Sequence, residues 1–395
     1  MHKRLLALLL AGIMVLGTAC ASKEEKTPLE EEKPAEEEVA ETEEPEESSE
    51  NTWNYPVDPV EDLQDDMLYH IGIVEQADHP AITHAVESFR DELSTRLEGN
   101  VSFEIRCIDN DEDACAAIVT QFMAGNWDLI LTAGTMPTRI AAQASTGTPV
   151  VGICVTDFLS AGIGKSNSEP GGRASGSCCM VSMKDVWEML KYVNTSDETV
   201  GVVFTEGDIG SRYQYEVLRL YVEEEKGGWY DVNKNGNTED AEDEDVKFDI
   251  EDYLKVYTVG KNDNLRAVLD QADAECGPIF FPADNWIACR MDVVRNFTLE
   301  TGTPTIAADA NMCIGGTLGC VSVDYYKQGA NGAEMAFEVL TDPEAEIGKE
   351  SVYEMSYSSY SAYNPDIASE LNNYIWYAKA LDTSVQETEE DAEDQ

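Results

Sequence analysis

From Tyr69 to about residue 340, short apolar runs alternate with segments whose apolar residues recur every three or four positions. A brief apolar run bounded by turn formers is a buried strand, and a 3.6-residue period is a helix with one dry face. HIGIVE at 70–75 has the strand pattern. Pro80 then opens a helix with Ile82, Val86, Phe89 and Leu93 on one side, as proline suits a first helical turn. Val101 to Ile108 reads as the next strand, and a helix behind Asp111 carries Ala114, Ile118 and Phe122. DLILTAGT at 128–135 and PVVGICVT at 149–156 are two more strand-to-loop units. A second series starts near Ser177, with Val186, Met189, Leu190 and Val193 on one helix face. Strands follow from Val200, Leu254, Pro278, Thr303 and Gly319, before a helix bearing Ala333, Ala336, Phe337 and Leu340.

This pattern predicts an α/β chain made of two doubly wound parallel-sheet lobes of similar size. Such sheets hold ligands at the carboxyl ends of their strands. The strand ends here are Glu75, Thr135, Thr156-Asp157, Glu206, Asp284-Asn285 and Asp309, with no lysine or arginine cluster among them.

The ends of the chain follow other rules. Lys3 and Arg4 precede an apolar stretch from Leu5 to Leu16, too short for the ~20 residues that span a bilayer and right for an export signal. It ends in Gly17-Thr18-Ala19-Cys20, which resembles a bacterial lipoprotein cleavage site, although Gly17 stands where Leu is usual. Cys20 is the expected lipid attachment. Residues 21–68 are dominated by Glu, Pro, Ser and Thr in their first thirty positions and predict an acidic, disordered tether, with a similar acidic tail over 381–395.

Charge narrows the function. With 26 Lys+Arg against 78 Asp+Glu, the chain of 395 residues carries a formal −52, which argues against nucleic acid as a partner. Beyond Cys20, nine cysteines have no zinc-type spacing, so buried free thiols are expected, with Cys313 and Cys320 the likeliest pair for a bridge. The look-alikes for catalysis fail. Gly164-Lys165-Ser166 has Leu159 where a phosphate loop needs glycine, Gly162-Ile163-Gly164 is followed by Asn167 rather than glycine, and only four histidines exist. No enzyme and no functional cofactor is expected. One motif is positive: DVNKNGNTEDAE at 231–242 satisfies the calcium-loop pattern. Asp231, Asn233, Asn235, Asn237 and Glu242 would be ligands for a structural Ca²⁺ around Gly236.

The strand-end motifs carry a resemblance. IGIVEQADHPAI (71–82), TAGTMPTRIAAQ (132–143), PVVGICVTDFLSAGIGKS (149–166) and EPGGRASG (169–176) are similar to stretches of the ABC-transporter substrate-binding lipoprotein family that includes tryptophan- and tyrosine-binding members. PIFFPADNWIA (278–288), TPTIAAD (303–309) and VDYYKQGANGAEMA (323–336) continue it in order. The resemblance implies a type I periplasmic-binding-protein fold, two lobes joined by three crossovers near Ser177, Asp309 and Tyr326. Lobe one would then be 69–177 plus 309–326, and lobe two 178–308 plus 327–380, with 222–247 an acidic insertion. It carries ligand contacts over to Glu75, His79, Gly134, Thr135, Thr156, Asp157, Asp284, Asn285 and Asp309. Glu75 stands where the family often has Gln, and Trp286 is a bulky departure, taken as an aromatic wall.

The expectation is a monomeric, membrane-tethered receptor on the outer face of a bacterial cell membrane. It would capture a small zwitterionic solute, an aromatic or other amino acid, and deliver it to an ABC permease and its ATPase. Asp284 would take the solute's ammonium group, so Asp284→Ala should abolish or greatly weaken binding and leave the melting temperature nearly unchanged. The alternatives are a sensory receptor for a membrane kinase or, third, an extracellular enzyme on the same scaffold.

Overall fold

The computed structural model describes residues 68–145, 147–227 and 249–384. The signal and Cys20, the acidic tether, the calcium-like loop with Asp231, Asn233, Asn235, Asn237 and Glu242, and the last eleven residues lie outside them.

Two sheets form. The first takes β1 (Tyr69–Glu75), β2 (Val101–Cys107), β3 (Leu129–Ala133), β4 (Val150–Val155) and β5 (Ala174–Cys178). The second takes β6 (Val200–Thr205), β7 (Leu254–Val259), β8 (Ile279–Phe281), β9 (Thr305–Ala307) and β10 (Gly319–Ser322). Late in the chain, β11 (Tyr353–Glu354) returns to the first sheet, and β12 (Tyr360–Tyr363) and β13 (Lys379–Ala380) complete the second. The orders are β2-β1-β3-β4-β5-β11 and β7-β6-β8-β9-β10-β12-β13. All pairs are parallel except β10 with β12. Fully buried runs such as β3, β4 and β6 are what a sheet covered on both faces requires.

In the first lobe the helices are α1 (Pro80–Arg96), α2 (Glu112–Met123) and α3 (Thr135–Ala144). The second has α4 (Met183–Val193), α5 (Ile209–Val222), α6 (Leu265–Asp273), α7 (Asn285–Ala288), α8 (Met291–Thr301) and α9 (Ala310–Gly315). Beyond them come α10 (Tyr325–Thr341) and α11 (Pro365–Leu371). Asp111, Ser182, Asp208, Asp284, Asp309 and Asp324 each cap a helix by accepting from its first N–H groups.

The chain passes between the sheets three times: after Cys178, between Ser322 and Tyr325, and between Glu354 and Tyr360. This corrects the expected lobe boundaries. Residues 309–322 stay with the second lobe because β10 pairs with β9, and α10 belongs to the first lobe because it packs on α1, β4 and β5. The structure also holds Cys313 and Cys320 as free thiols, with the Cys313 thiol directed at the Thr317 carbonyl, 3.5 Å away.

Candidate functional site: a cleft between two lobes

The carboxyl ends of both sheets face one another across a narrow cleft. The lobes touch directly there. His79 Nε2, just before α1, lies 2.7 Å from Asn285 Oδ1 at the start of α7. Lys261 Nζ, beyond β7, donates to the Asn110 carbonyl at 2.6 Å. Gly210 in α5 sits so close to Thr156 that a methyl group on it would be 2.4 Å from the threonine Oγ1.

Inside this contact is a small inner cavity of about 20 Å³. His79, Thr135, Cys154, Thr156, Cys179 and Tyr325 line it from the first lobe and its crossovers, and Asp208, Asp284, Asn285 and Asp309 from the second. A larger cavity of about 180 Å³ adjoins it and shares Thr135, Asp208 and Asp284. Its other walls include Gln76, Asn110, Met136, Arg139, Ile209, Lys261 and Trp286.

Two buried aspartates open short helices here, 2% and 3% exposed. Asp284 is saturated. Its Oδ1 accepts from the Thr205 hydroxyl (2.8 Å) and the N–H groups of Trp286 and Ile287 (both 3.0 Å), and its Oδ2 from Thr205 N–H (2.8 Å) and the Ser211 hydroxyl (3.0 Å). Asp309 spends Oδ1 on the N–H groups of Asn311 (2.6 Å) and Met312 (3.1 Å). Burial, then the charge of Asp309, holds the Tyr325 hydroxyl well above its usual pKa. Asp208 Oδ1 accepts from the Ser211 N–H at 2.7 Å. Burial first, then the charge of Asp284, pushes its carboxyl up to about 6.

Of the ten residues expected from the sequence, His79, Thr135, Thr156, Asp284, Asn285, Trp286 and Asp309 reach one cavity or the other. Glu75, Gly134 and Asp157 line neither. Glu75 ends β1 against Cys107 and Ala133, and burial, then Asp78, raises its pKa to about 7. Gly134 caps α3 at φ 117°, where a side chain would strike Gln76. Asp157 braces a turn by accepting from Ser160 N–H at 2.6 Å. Trp286 is wedged into the second lobe's core with the Arg290 guanidinium 3.6 Å from its ring centroid. Sequence reasoning missed Asp208, though its cap pattern two residues past Glu206 was a usable signal. It also missed Cys154, near the end of β4, and Cys179 and Tyr325, which stand beside two of the crossovers.

Two parallel-sheet lobes, three crossovers and a polar cavity enclosed between them define a type I periplasmic-binding-protein fold, built to hold a solute. Comparisons with known proteins carry this further. Residues 70–227 match the family model described as ABC transporter substrate binding protein. The chain is 26% identical over 274 residues to a tyrosine-binding protein of Clostridioides difficile (strain R20291), covering 69% of this chain and 72% of that one. A Streptococcus pneumoniae ABC domain in complex with L-Trp superposes with TM-score 0.68 at 21% identity, over 79% of this chain and 100% of that one. A ligand-free, open substrate binding protein with adhesive properties from Clostridium difficile gives TM-score 0.55 at 22% identity, over 80% and 100%. Over residues 70–227 the chain is similar to ABC-transporter substrate-binding proteins, and the proteins it resembles include aromatic amino-acid binders. The proteins it resembles bind solutes and are not enzymes. Among the described residues, no helix is long and apolar enough to cross a membrane.

Proposed function

We propose that this chain is the lipid-anchored receptor of an ABC importer and captures a small zwitterionic solute of amino-acid type between its closing lobes. The observation that carries the reading is the inner cavity. Asp208, Asp284 and Asp309 converge on it, and among the described residues no lysine or arginine lines it. An ammonium group answers that charge, through charge-assisted hydrogen bonds of roughly 1.5–3 kcal/mol each. Because Asp284 is saturated by its own lobe, Asp309 and Asp208 are the acceptors, and Asp284 is the brace that positions the α7 loop. The solute oxygen beside the ammonium, a carboxylate or an amide carbonyl, suits the Thr135 hydroxyl and the start of α3. Met136, Ile209 and Trp286 offer walls for an apolar or aromatic side chain, in keeping with the tyrosine and L-Trp that two relatives bind. Lobe closure then presents the trapped solute to permease and ATPase, while Cys20 holds the receptor at the membrane.

Thermal-shift screening of amino acids against the mature chain, followed by calorimetry, tests this. A true ligand raises the melting temperature by mass action. Asp309→Asn keeps the capping oxygen but not the charge, and should weaken binding at least about tenfold with little loss of stability. Asp284→Ala strands its donors and should cost roughly 2–5 kcal/mol of folding stability. A screen without any stabilising amino acid or short peptide would overturn the reading.

A further inference from the structure

Resting on that reading, we infer that the solute's two charges stand farther apart than in a free α-amino acid, as they do in a dipeptide: its ammonium occupies the inner cavity and its carboxylate lies against Arg139 and Lys261 in the larger one.

Size sets the first limit. About 20 Å³ is room for one water-sized group. An ammonium fits there, and the rest of the solute must run into the adjoining space of about 180 Å³. The direction of that run is set by the residues common to both cavities, Thr135, Asp208 and Asp284.

Charge then separates the two ends. An α-amino acid keeps its carboxylate two bonds from its nitrogen, which would place an anion beside Asp208, Asp284 and Asp309, answered by the neutral Thr135 hydroxyl and the start of α3 but by no lysine or arginine in the lining. Burial first, and then the neighbouring charge of Asp284, raises the pKa of Asp208. A neutral peptide carbonyl at that position adds no charge. The cations stand in the larger cavity, one from each lobe: Arg139 from α3 and Lys261 from the loop after β7. Arg139 gives Nη2 to Glu112 at 2.9 Å, while its buried Nε–H has no acceptor. Lys261 donates to a neutral carbonyl, and among the described residues it makes no ion pair. A carboxylate between them would pair with both lobes at once and so favour the closed form. Four carboxylates also line this cavity: Asp208 and Asp284 at the end shared with the inner one, Glu112 paired with Arg139, and Glu206; Glu112 and Glu206 are exposed to water, where their repulsion is screened.

The test compares matched probes on the mature chain: each stabilising amino acid, its dipeptide with C-terminal glycine, and that dipeptide's C-terminal amide. Calorimetry should find the dipeptide acid at least about tenfold tighter than both the amino acid and the amide, a gain of about 1.4 kcal/mol. In the double variant Arg139→Gln, Lys261→Gln the ratio of acid to amide should fall to about twofold or less. Free amino acids binding as tightly as their dipeptides would overturn the charge spacing and leave the capture reading intact. So would a double variant that weakens acid and amide by one common factor. Absence of binding by every probe would overturn the capture reading and the spacing together.

Discussion

Asp284 and Asp309 look alike in the sequence, each closing a short strand and opening a short helix, yet their carboxylates are spent differently. Five protein donors fill the first, and the second commits one oxygen to its cap. No spacing rule distinguishes a saturated carboxylate from an available one, because Thr205 and Ser211 arrive from other segments. Glu75 shows the same limit. Its place at a strand end suggested a ligand contact, and its surroundings make it instead a buried acid whose pKa rises from 4.5 to about 7. A raised carboxyl pKa means that the folded state holds the proton more tightly, so stability is fullest below the unfolded value and is lost as pH rises through that window. Glu75→Gln should therefore be nearly neutral at pH 4 and stabilising at pH 8 by on the order of 3 kcal/mol. Urea unfolding at the two pH values reads this directly, and equal midpoint shifts would contradict it.

The strands with continuous apolar runs were readable because both faces of each sheet are covered. β5 was not. Its sequence ASGSC has no apolar run, and it is buried end to end because α10 lies across β4 and β5. Small residues there let a helix approach, a requirement set by a segment 150 residues later, as when Gln328 Nε2 donates to the Cys178 carbonyl at 2.6 Å. The crossing of α10 with α1 is equally close. A methyl on Gly329 would lie 2.0 Å from the Ala85 carbonyl oxygen. Gly329→Ala should gain about 1 kcal/mol in helix propensity and lose more to overlap, for a net destabilisation of about 1–3 kcal/mol. A melting temperature at or above that of the parent protein would show that the two helices have room to separate.

Closure of the lobes is a property of the molecule and not of any element. It depends on His79 meeting Asn285, Lys261 meeting Asn110, and α5 meeting Thr156 without a side chain between them. Gly210→Ala keeps a helix-compatible residue and sets a methyl 2.4 Å from Thr156 Oγ1, so the lobes should be wedged apart while each still folds. Small-angle scattering should then show a larger radius of gyration, and calorimetry a solute bound at least about tenfold more weakly, since part of the closing contact is lost. An unchanged radius with unchanged affinity would mean that closure does not pass through this contact.

The chain's own pattern determined the alternation of strand and helix, the two doubly wound halves, and polar residues at the strand ends, because burial on both sheet faces and helix capping are written locally. Which lobe owns β10 and α10, how the protein's donors divide between Asp284 and Asp309, and where Asp208, Cys179 and Tyr325 stand were decided only in three dimensions. Those outcomes depend on pairings between segments tens to hundreds of residues apart, and a hydrogen bond made across that distance leaves no period in the sequence.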